Sequence, residues 1–414
     1  MTDEISNAVS KIIIAENDHK LQIDKLNALL QEALTTTDNE DTMCKNVIKL
    51  ADAVVNQESV SMVVSRQFVS DLVEVMNSLP LGAVKAIGNG LLSSIHSRLI
   101  SYEEQVAQIR FKLADIYENE GEAKEAAKML IAVPLETGQR SYTPEVKMET
   151  YLRIAQLALS YGDAAEAEAY INRASMLLTD VKNDNNRLSV MYKALYARVL
   201  DHRHKFIEAA QRYYELSLMP ALLLQEKQNA LTNAISCAIL ASPGGQRSRM
   251  LTSLYKDERC ERLPSYGILE KMHLERIIKQ EEVAEFEKTL PEHERTFVDG
   301  GSILEKAVVE HNIIAIGNIF VNISFDQLAQ LLNIEVSRAE RMTWNMIAEK
   351  RINATIDQLK GFIHFTQPDV ITSWDQQISD LCQHVNCIVD MILQEQKSWA
   401  NSHLSEAAAQ PEVQ

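Results

Sequence analysis

ISFDQLAQLLNIEVSRAERMTWNMIAEKRINATIDQLKGFIHF, residues 323–365, decides the fold of the C-terminal third of the chain. Ser324 is followed three residues later by Gln327, a capping-box pair, and Ile323 and Leu328 stand at the spacing of a hydrophobic staple. A helix is therefore predicted to start after Ser324. Ser337 and Glu340 repeat the box for a second helix, with NIEV as the turn between the two. The alternation of Ile352, Ala354 and Ile356 predicts a half-buried strand, and Leu359-Lys360-Gly361 turns it into a second strand, FIHF. Upstream, ILEKAVVEHNIIAIGNIF (303–320) supplies a third helix with Ile303, Leu304, Val308, Ile313 and Ile314 as core candidates. Three helices closed by a two-stranded wing make a winged helix.

A winged helix often reads DNA, and Arg338, Arg341, Lys350 and Arg351 are the residues such a reader would use from its second helix. Glu335, Glu340 and Glu349 are interleaved with them, and residues 301–366 hold six Lys or Arg against seven Asp or Glu. DNA modules depend on clustered cations that displace counterions from phosphates, so this balance argues against a nucleic-acid partner. The whole chain is more acidic still, with 58 Asp and Glu against 41 Lys and Arg and a formal charge of −17.

Outward from the winged helix, the composition is that of a helical globular protein. Apolar residues make up 46% of the 414 positions, while 13 Gly and 9 Pro leave little turn chemistry for a many-stranded sheet. The N-terminal MTDEISNAVSKIIIAEND has acids where a signal peptide or presequence needs bases, and no apolar run approaches the roughly 18 residues of a spanning helix. No membrane partner is expected, and a soluble intracellular protein is. Cys44, Cys237, Cys260, Cys382 and Cys387 are scattered, without a C-x-x-C, and read as thiols rather than a disulfide framework.

Self-comparison shows a repeat. RFKLADIYENEGEAKEAAKML (110–130), YLRIAQLALSYGDAAEAEAYI (151–171) and LYARVLDHRHKFIEAAQRYY (195–214) each read as a helix, a tight turn and a second, Ala-rich helix. Gly121, Gly162 and His204 occupy the turns, and Glu125, Glu166 and Glu208 follow each by four residues. A further step of the same length reaches Gly244 and Gly245. The spacing of about 41 residues lies in the HEAT range and above the roughly 34 of a tetratricopeptide unit. The expected class is therefore mainly α: a TPR-like or HEAT-like right-handed helical-repeat solenoid, a winged-helix subdomain, then a C-terminal bundle helix. The expected boundaries are 1–295 for the repeat array, 296–366 for the winged helix, 367–400 for the last helix and 401–414 for a polar tail. Within the array, residues 2–34 read as a first long helix and TTTDNED (35–41) as a loop.

The last helix, opened by Pro368, carries its own message. Ile371, Trp374, Ile378, Leu381, Val385, Ile388 and Ile392 alternate at steps of three and four, an a/d seam held for three heptads. Such a stripe belongs against other helices, and these seven residues are candidate partner-binding residues.

Catalytic motifs are missing. There is no G-x-x-x-x-G-K-[ST], H-E-x-x-H or G-x-S-x-G, and Gly88-x-Gly90 lacks the third glycine of a dinucleotide loop. His202-Arg203-His204 resembles the H-x-H of zinc isopeptidases, but Arg212 and Glu215 stand where the further serine and aspartate would be needed. Cys382, His384 and Cys387 fall on different sides of one helix at 100° per residue. No cofactor, metal or catalytic residue is expected.

The I-S-F-x-x-L-A-x-L-L core, the M-I-x-E-x-R-I-N-x-x-I-D-Q step, the final G-F-I-H-F and the preceding E-K-A-V-V-E-H-N-I-I-A together resemble the PCI domain. That family supplies subunits of the proteasome lid, the signalosome and translation initiation factor three. The resemblance implies that the PCI domain takes in the repeat from about residue 195, and that the chain is a non-catalytic scaffold. Its implied branch is the signalosome, which removes a ubiquitin-like modifier from cullins, with the proteasome lid as the alternative. The implied partners are other signalosome subunits, through the winged helix and the C-terminal helix, and a cullin-RING ligase through the N-terminal arm. The implied location is cytoplasm and nucleus. Winged helices of this family associate side by side, which nominates the wing strands, with Ile352, Ala354, Ile356, Phe362, Ile363 and Phe365, as a partner-accepting sheet edge.

Overall fold

The computed structural model describes residues 9, 12, 18–35, 40–57, 60–136, 142–179, 187–295, 297–298, 301–366 and 370–396. The chain forms two compact units. Residues 1–241, 250–266 and 291–294 make the first, and 242–249, 267–290 and 295–414 the second.

The first unit is built of helical hairpins. α1 (His19–Thr35), α2 (Glu40–Asn56), α3 (Met62–Val75) and α4 (Leu81–Ile95) lead into α5 (Glu103–Glu120) and α6 (Ala123–Ile131). α7 (Pro144–Ser160) and α8 (Ala164–Leu177) follow, then α9 (Arg187–His202), α10 (Phe206–Ser217) and α11 (Leu224–Leu240). The TTTDNED segment is shorter as a loop than its composition implies: Thr35 still belongs to α1, and Glu40 and Asp41 open α2, where two carboxylates favour the positive end of the helix dipole. Most of the expected helix before His19 and the tail from 401 lie outside the described residues.

The three repeat turns share one hydrogen-bond pattern. Gly121 has φ +82°, Gly162 +89° and His204 +58°. At each, the left-handed residue's N–H reaches back three residues and the next N–H reaches back five: Glu122 to the Tyr117 carbonyl, Asp163 to Ala158 and Lys205 to Leu200. This is the Schellman ending, which closes orphan helix carbonyls and reverses the chain in few residues. The small residues after the turn let the second helix pack closely, so Ala126, Ala127, Ala167, Ala209 and Ala210 are buried. The fourth step differs. α11 ends into extended Ala241, and neither Gly244 nor Gly245 has a positive φ before α12 (Gly245–Tyr255).

In the second unit, α13 (Tyr266–His273) and α14 (Gln280–Glu287) precede a two-residue hairpin, β1 (Phe297–Val298) and β2 (Gly301–Ser302). The winged helix follows as α15 (Ile303–Ile319), β3 (Asn322–Ser324), α16 (Phe325–Leu332), α17 (Val336–Ala348), β4 (Ala354–Asp357) and β5 (Phe362–Phe365). Residues 267–290, read in sequence with the repeat, group with the winged helix. Ser324 caps α16 by accepting from the Gln327 N–H, as its spacing implies. The second predicted cap is corrected: α17 starts at Val336 behind Glu335, which makes no side-chain cap, so Ser337 already sits in the first turn. A reciprocal box forms instead at the head of α15, between Ser302 and Glu305.

One core fills this module. Ile313, Ile316, Ile323, Leu328, Ala339, Met346 and Ile363 pack with Phe325, Leu332 and Phe365. α15 also buries three consecutive polar residues, Glu310, His311 and Asn312, each less than a tenth exposed. Asn312 accepts from the Ile278 N–H at 2.9 Å and donates to the Ile278 carbonyl at 3.0 Å, satisfying both backbone groups of a residue outside any helix or strand. His311 Nε2 lies 3.0 Å from the Arg276 carbonyl. Glu310 accepts from Arg351 at 2.8 Å. Each of the three therefore fixes a different piece of chain around α15, which is how a mid-helix polar run is tolerated in an apolar core.

Candidate protein-interaction surfaces

The three-stranded sheet has the order β3-β5-β4. Its register places Ile356 opposite Ile363 and Ala354 opposite Phe365, while Ile323 of β3 flanks Ile363 on the other side. β5 is therefore the central strand. Phe362, Ile363 and Phe365 do not lie on a free edge, a correction to the two-stranded wing that the sequence predicts. The reason is β3: Asn322–Ser324 reads as a helix cap, yet the same residues pair with β5 before the cap. Ile363, Phe365 and Ala354 face the module's own core, Ile352 and Ile356 pack partly against it, and Phe362 is partly exposed. The free edges belong to β3 and β4.

Beside the β4 edge is a groove of about 470 Å³ lined by Ser337, Glu340, Arg341 and Trp344 of α17 and by Ile356 and Gln358. Trp344 is 60% exposed at its side. A large aromatic ring beside an unpaired strand edge is the arrangement from which interface anchors are made. Sequence reading missed Trp344, although a signal was present. The buried face of α17 is Ala339, Met342, Thr343 and Met346, and a tryptophan off that stripe has no core to enter.

Of the four basic residues on or just after α17, two pair with carboxylates of the module. Arg351 pairs with Glu310 and with Glu349. Arg338 stands 4.0 Å from Glu305. Lys350 forms the left-handed end of the helix at φ +56°. Burial raises the Glu310 carboxyl while Arg351 opposes the shift, so that guanidinium is held inward by the charge it balances.

The second surface is α18 (Val370–Glu395), a continuous helix of 26 residues, on the order of 39 Å long. Ile371, Trp374, Ile378, Leu381, Val385, Ile388 and Ile392 are 40–74% exposed. Val389, Met391 and Leu393 widen the apolar strip. Every α18 residue from 374 to 395 is exposed, so from Trp374 onward the stripe has no cover among the described residues of its own chain. Pro368, expected to open this helix, lies outside them. Cys382 and Cys387 are exposed thiols, and His384 Nδ1 sits 2.7 Å from the Asp380 carbonyl of its own helix.

Elsewhere, no described helix is long and apolar enough to cross a membrane. The H-x-H pair diverges. His204 is the left-handed turn residue packed on Phe206, whereas His202 stacks on His293 with ring centroids 4.0 Å apart. Burial, with His293 adding to it, holds the His202 pKa below its ordinary value.

A helical repeat followed by a winged helix defines a PCI-domain protein, and residues 275–367 match the PCI domain model. Residues 7–223 match the model described as PSMD12/CSN4, N-terminal. The chain is 45% identical over 385 residues, 93% of each chain, to COP9 signalosome complex subunit 4 of Drosophila melanogaster. It is 40% identical over 404 residues to the protein of that name in Caenorhabditis elegans, covering 96% of this chain and 98% of the relative. For Arabidopsis thaliana the identity is 38% over 386 residues, 91% and 95% of the two chains. The chain belongs to the COP9 signalosome complex subunit 4 family.

Proposed function

We propose that the protein is a non-catalytic scaffold subunit of the signalosome, supporting the complex that removes a ubiquitin-like modifier from cullin-RING ligases. The observation that carries this reading is the uncovered stripe of α18. Burying an aliphatic side chain is worth roughly 1.5 to 3 kcal/mol, so six such residues and Trp374 in water are a standing incentive for association. A heptad seam selects other helices as the cover, and helices from several subunits meet that requirement. The β4 edge and Trp344 give the winged helix a second contact, with a neighbouring sheet or loop. In this reading the helical hairpins of the first unit engage neighbouring subunits or a cullin-RING ligase, while the isopeptidase chemistry belongs to another chain.

The test is affinity purification of the tagged chain with mass spectrometry of what accompanies it. Signalosome subunits in stoichiometric yield are expected, and proteasome-lid subunits in their place would overturn the choice of complex. Deleting the first hundred or so residues should leave assembly intact and weaken cullin binding; unchanged cullin affinity would remove the arm from the account. A nucleic-acid reading predicts salt-dependent retention of DNA or RNA, against which the internal use of Arg351 and Arg338 weighs.

A further inference from the structure

Asp201 lies in the last turn of α9, and His293 and Glu294 lie in a 3₁₀ turn more than ninety residues later. The fold brings all three together inside the first unit. His293 Nε2 is 2.9 Å from Asp201 Oδ2 and 3.9 Å from Glu294 Oε1, and one donor atom from each lies within 4.8 Å of the others. Both carboxylates are buried, with side chains 5% and 3% exposed, whereas His293 at 30% forms the solvent side. Glu294 Oε2 is buried without a hydrogen-bond partner. Burial and the facing Asp201 push the Glu294 carboxyl up to about 9. The Cys237 thiol, 3.7 Å from Asp201 Oδ1, is raised by the same environment.

Two buried carboxylates facing each other beside one imidazole, with one carboxylate oxygen left without a hydrogen bond, call for more positive charge than a single imidazole can supply. A divalent ion supplies it: two carboxylates, a neutral imidazole and M²⁺ sum to zero, and the orphan oxygen gains a bond. We propose that Asp201, His293 and Glu294 bind a divalent first-row transition-metal ion, with zinc the best match to one imidazole and two carboxylates. A four-coordinate ion with bonds of about 2.1 Å needs donors about 3.4 Å apart, so the His293–Asp201 pair opens and the His293–Glu294 pair closes by about half an ångström each on binding. Water enters the fourth position from the His293 side. The ion ties the 292–295 turn to the end of α9, and its binding energy adds to the stability of that junction. Neither histidine of the H-x-H resemblance is needed; the ligand is the aspartate just before it.

The experiment uses the full chain carrying Cys382→Ser, Cys387→Ser and His384→Gln, which removes the exposed donors of α18. After treatment with chelator and desalting, Zn²⁺ is titrated back while melting temperature and bound metal are measured. The expected result is about one Zn²⁺ per chain with a rise in melting temperature that Mg²⁺ does not reproduce. Glu294→Gln and His293→Asn should each abolish the rise. Should either variant fail to fold, Co²⁺ loaded into the chain with Asp201, His293 and Glu294 intact should give visible absorption of a four-coordinate site. A chain that melts identically with and without Zn²⁺ and gives no Co²⁺ spectrum would overturn the proposal. So would a Glu294→Gln variant that keeps the full Zn²⁺-dependent rise, because the ion would then be held by other residues.

Discussion

Leu328 and Leu381 are the same side chain in two regions of one unit. Leu328 is fully buried in the winged-helix core, and Leu381 is 66% exposed on α18. α15 and α18 extend the contrast. α15 is buried to the point of enclosing Glu310, His311 and Asn312, while α18 leaves an entire heptad seam in water. Both helices are at least half apolar. What differs is whether the chain supplies the opposing surface: α15 has α16, α17 and the sheet around it, and α18 has none among the described residues. The first region specifies a fold, and the second specifies an assembly.

Substitutions should separate the two regions, beginning with the largest effect. In the isolated chain, Leu328→Ala should cost about 2 to 5 kcal/mol in denaturant unfolding, and Leu381→Ala about 0.5 kcal/mol or less. Equal costs would mean that α18 has an internal cover.

The polar triplet of α15 sharpens the contrast through pH. Burial lowers the His311 pKa to about 4, with the Arg247 charge adding to it. The folded ring thus stays neutral while the unfolded chain takes up a proton below about pH 6.5. Stability from this group is present above pH 6.5 and is lost as the pH falls toward 4, by about 3 kcal/mol in total. A His311→Gln variant should flatten that part of the unfolding profile, and an unchanged slope would show that the ring is not the titrating group. Asn312→Ala leaves the Ile278 amide and carbonyl without their partners. It should cost about 2 kcal/mol, measured by thermal unfolding, while truncations on α18 stay near zero.

How far the sequence carried depends on which residues announce their own geometry. Gly121 and Gly162 mark left-handed turns because glycine reaches φ > 0 without a Cβ clash, and His204 was found only through its spacing from them. Glu275, Asn333 and Lys350 make the same ending at φ +53°, +53° and +56°. Their bonds run from Arg276 to Lys271, from Ile334 to Ala329 and from Arg351 to Met346, yet nothing in Glu or Lys signals it. Lys350→Gly should therefore stabilise the second unit by about 0.5 to 1 kcal/mol in thermal unfolding.

The seam of α18 was legible because a 3.5-residue period survives without tertiary context. β3 was not, since three residues carry no period and Ser324 serves as both strand end and cap. Nor was the role of Glu310-His311-Asn312, because buried polar residues look like surface until their partners are known. Asp201, His293 and Glu294 were hidden for the same reason, being far apart in the chain.

Other chains are expected to cover the α18 stripe. Replacing Ile378, Val385 and Ile392 together by glutamate tests it, with melting of the isolated chain and co-purification of signalosome subunits measured side by side. An unchanged melting temperature and loss of the co-purifying subunits are expected. A lowered melting temperature with assembly intact would contradict this, because the stripe would then be packed within its own chain.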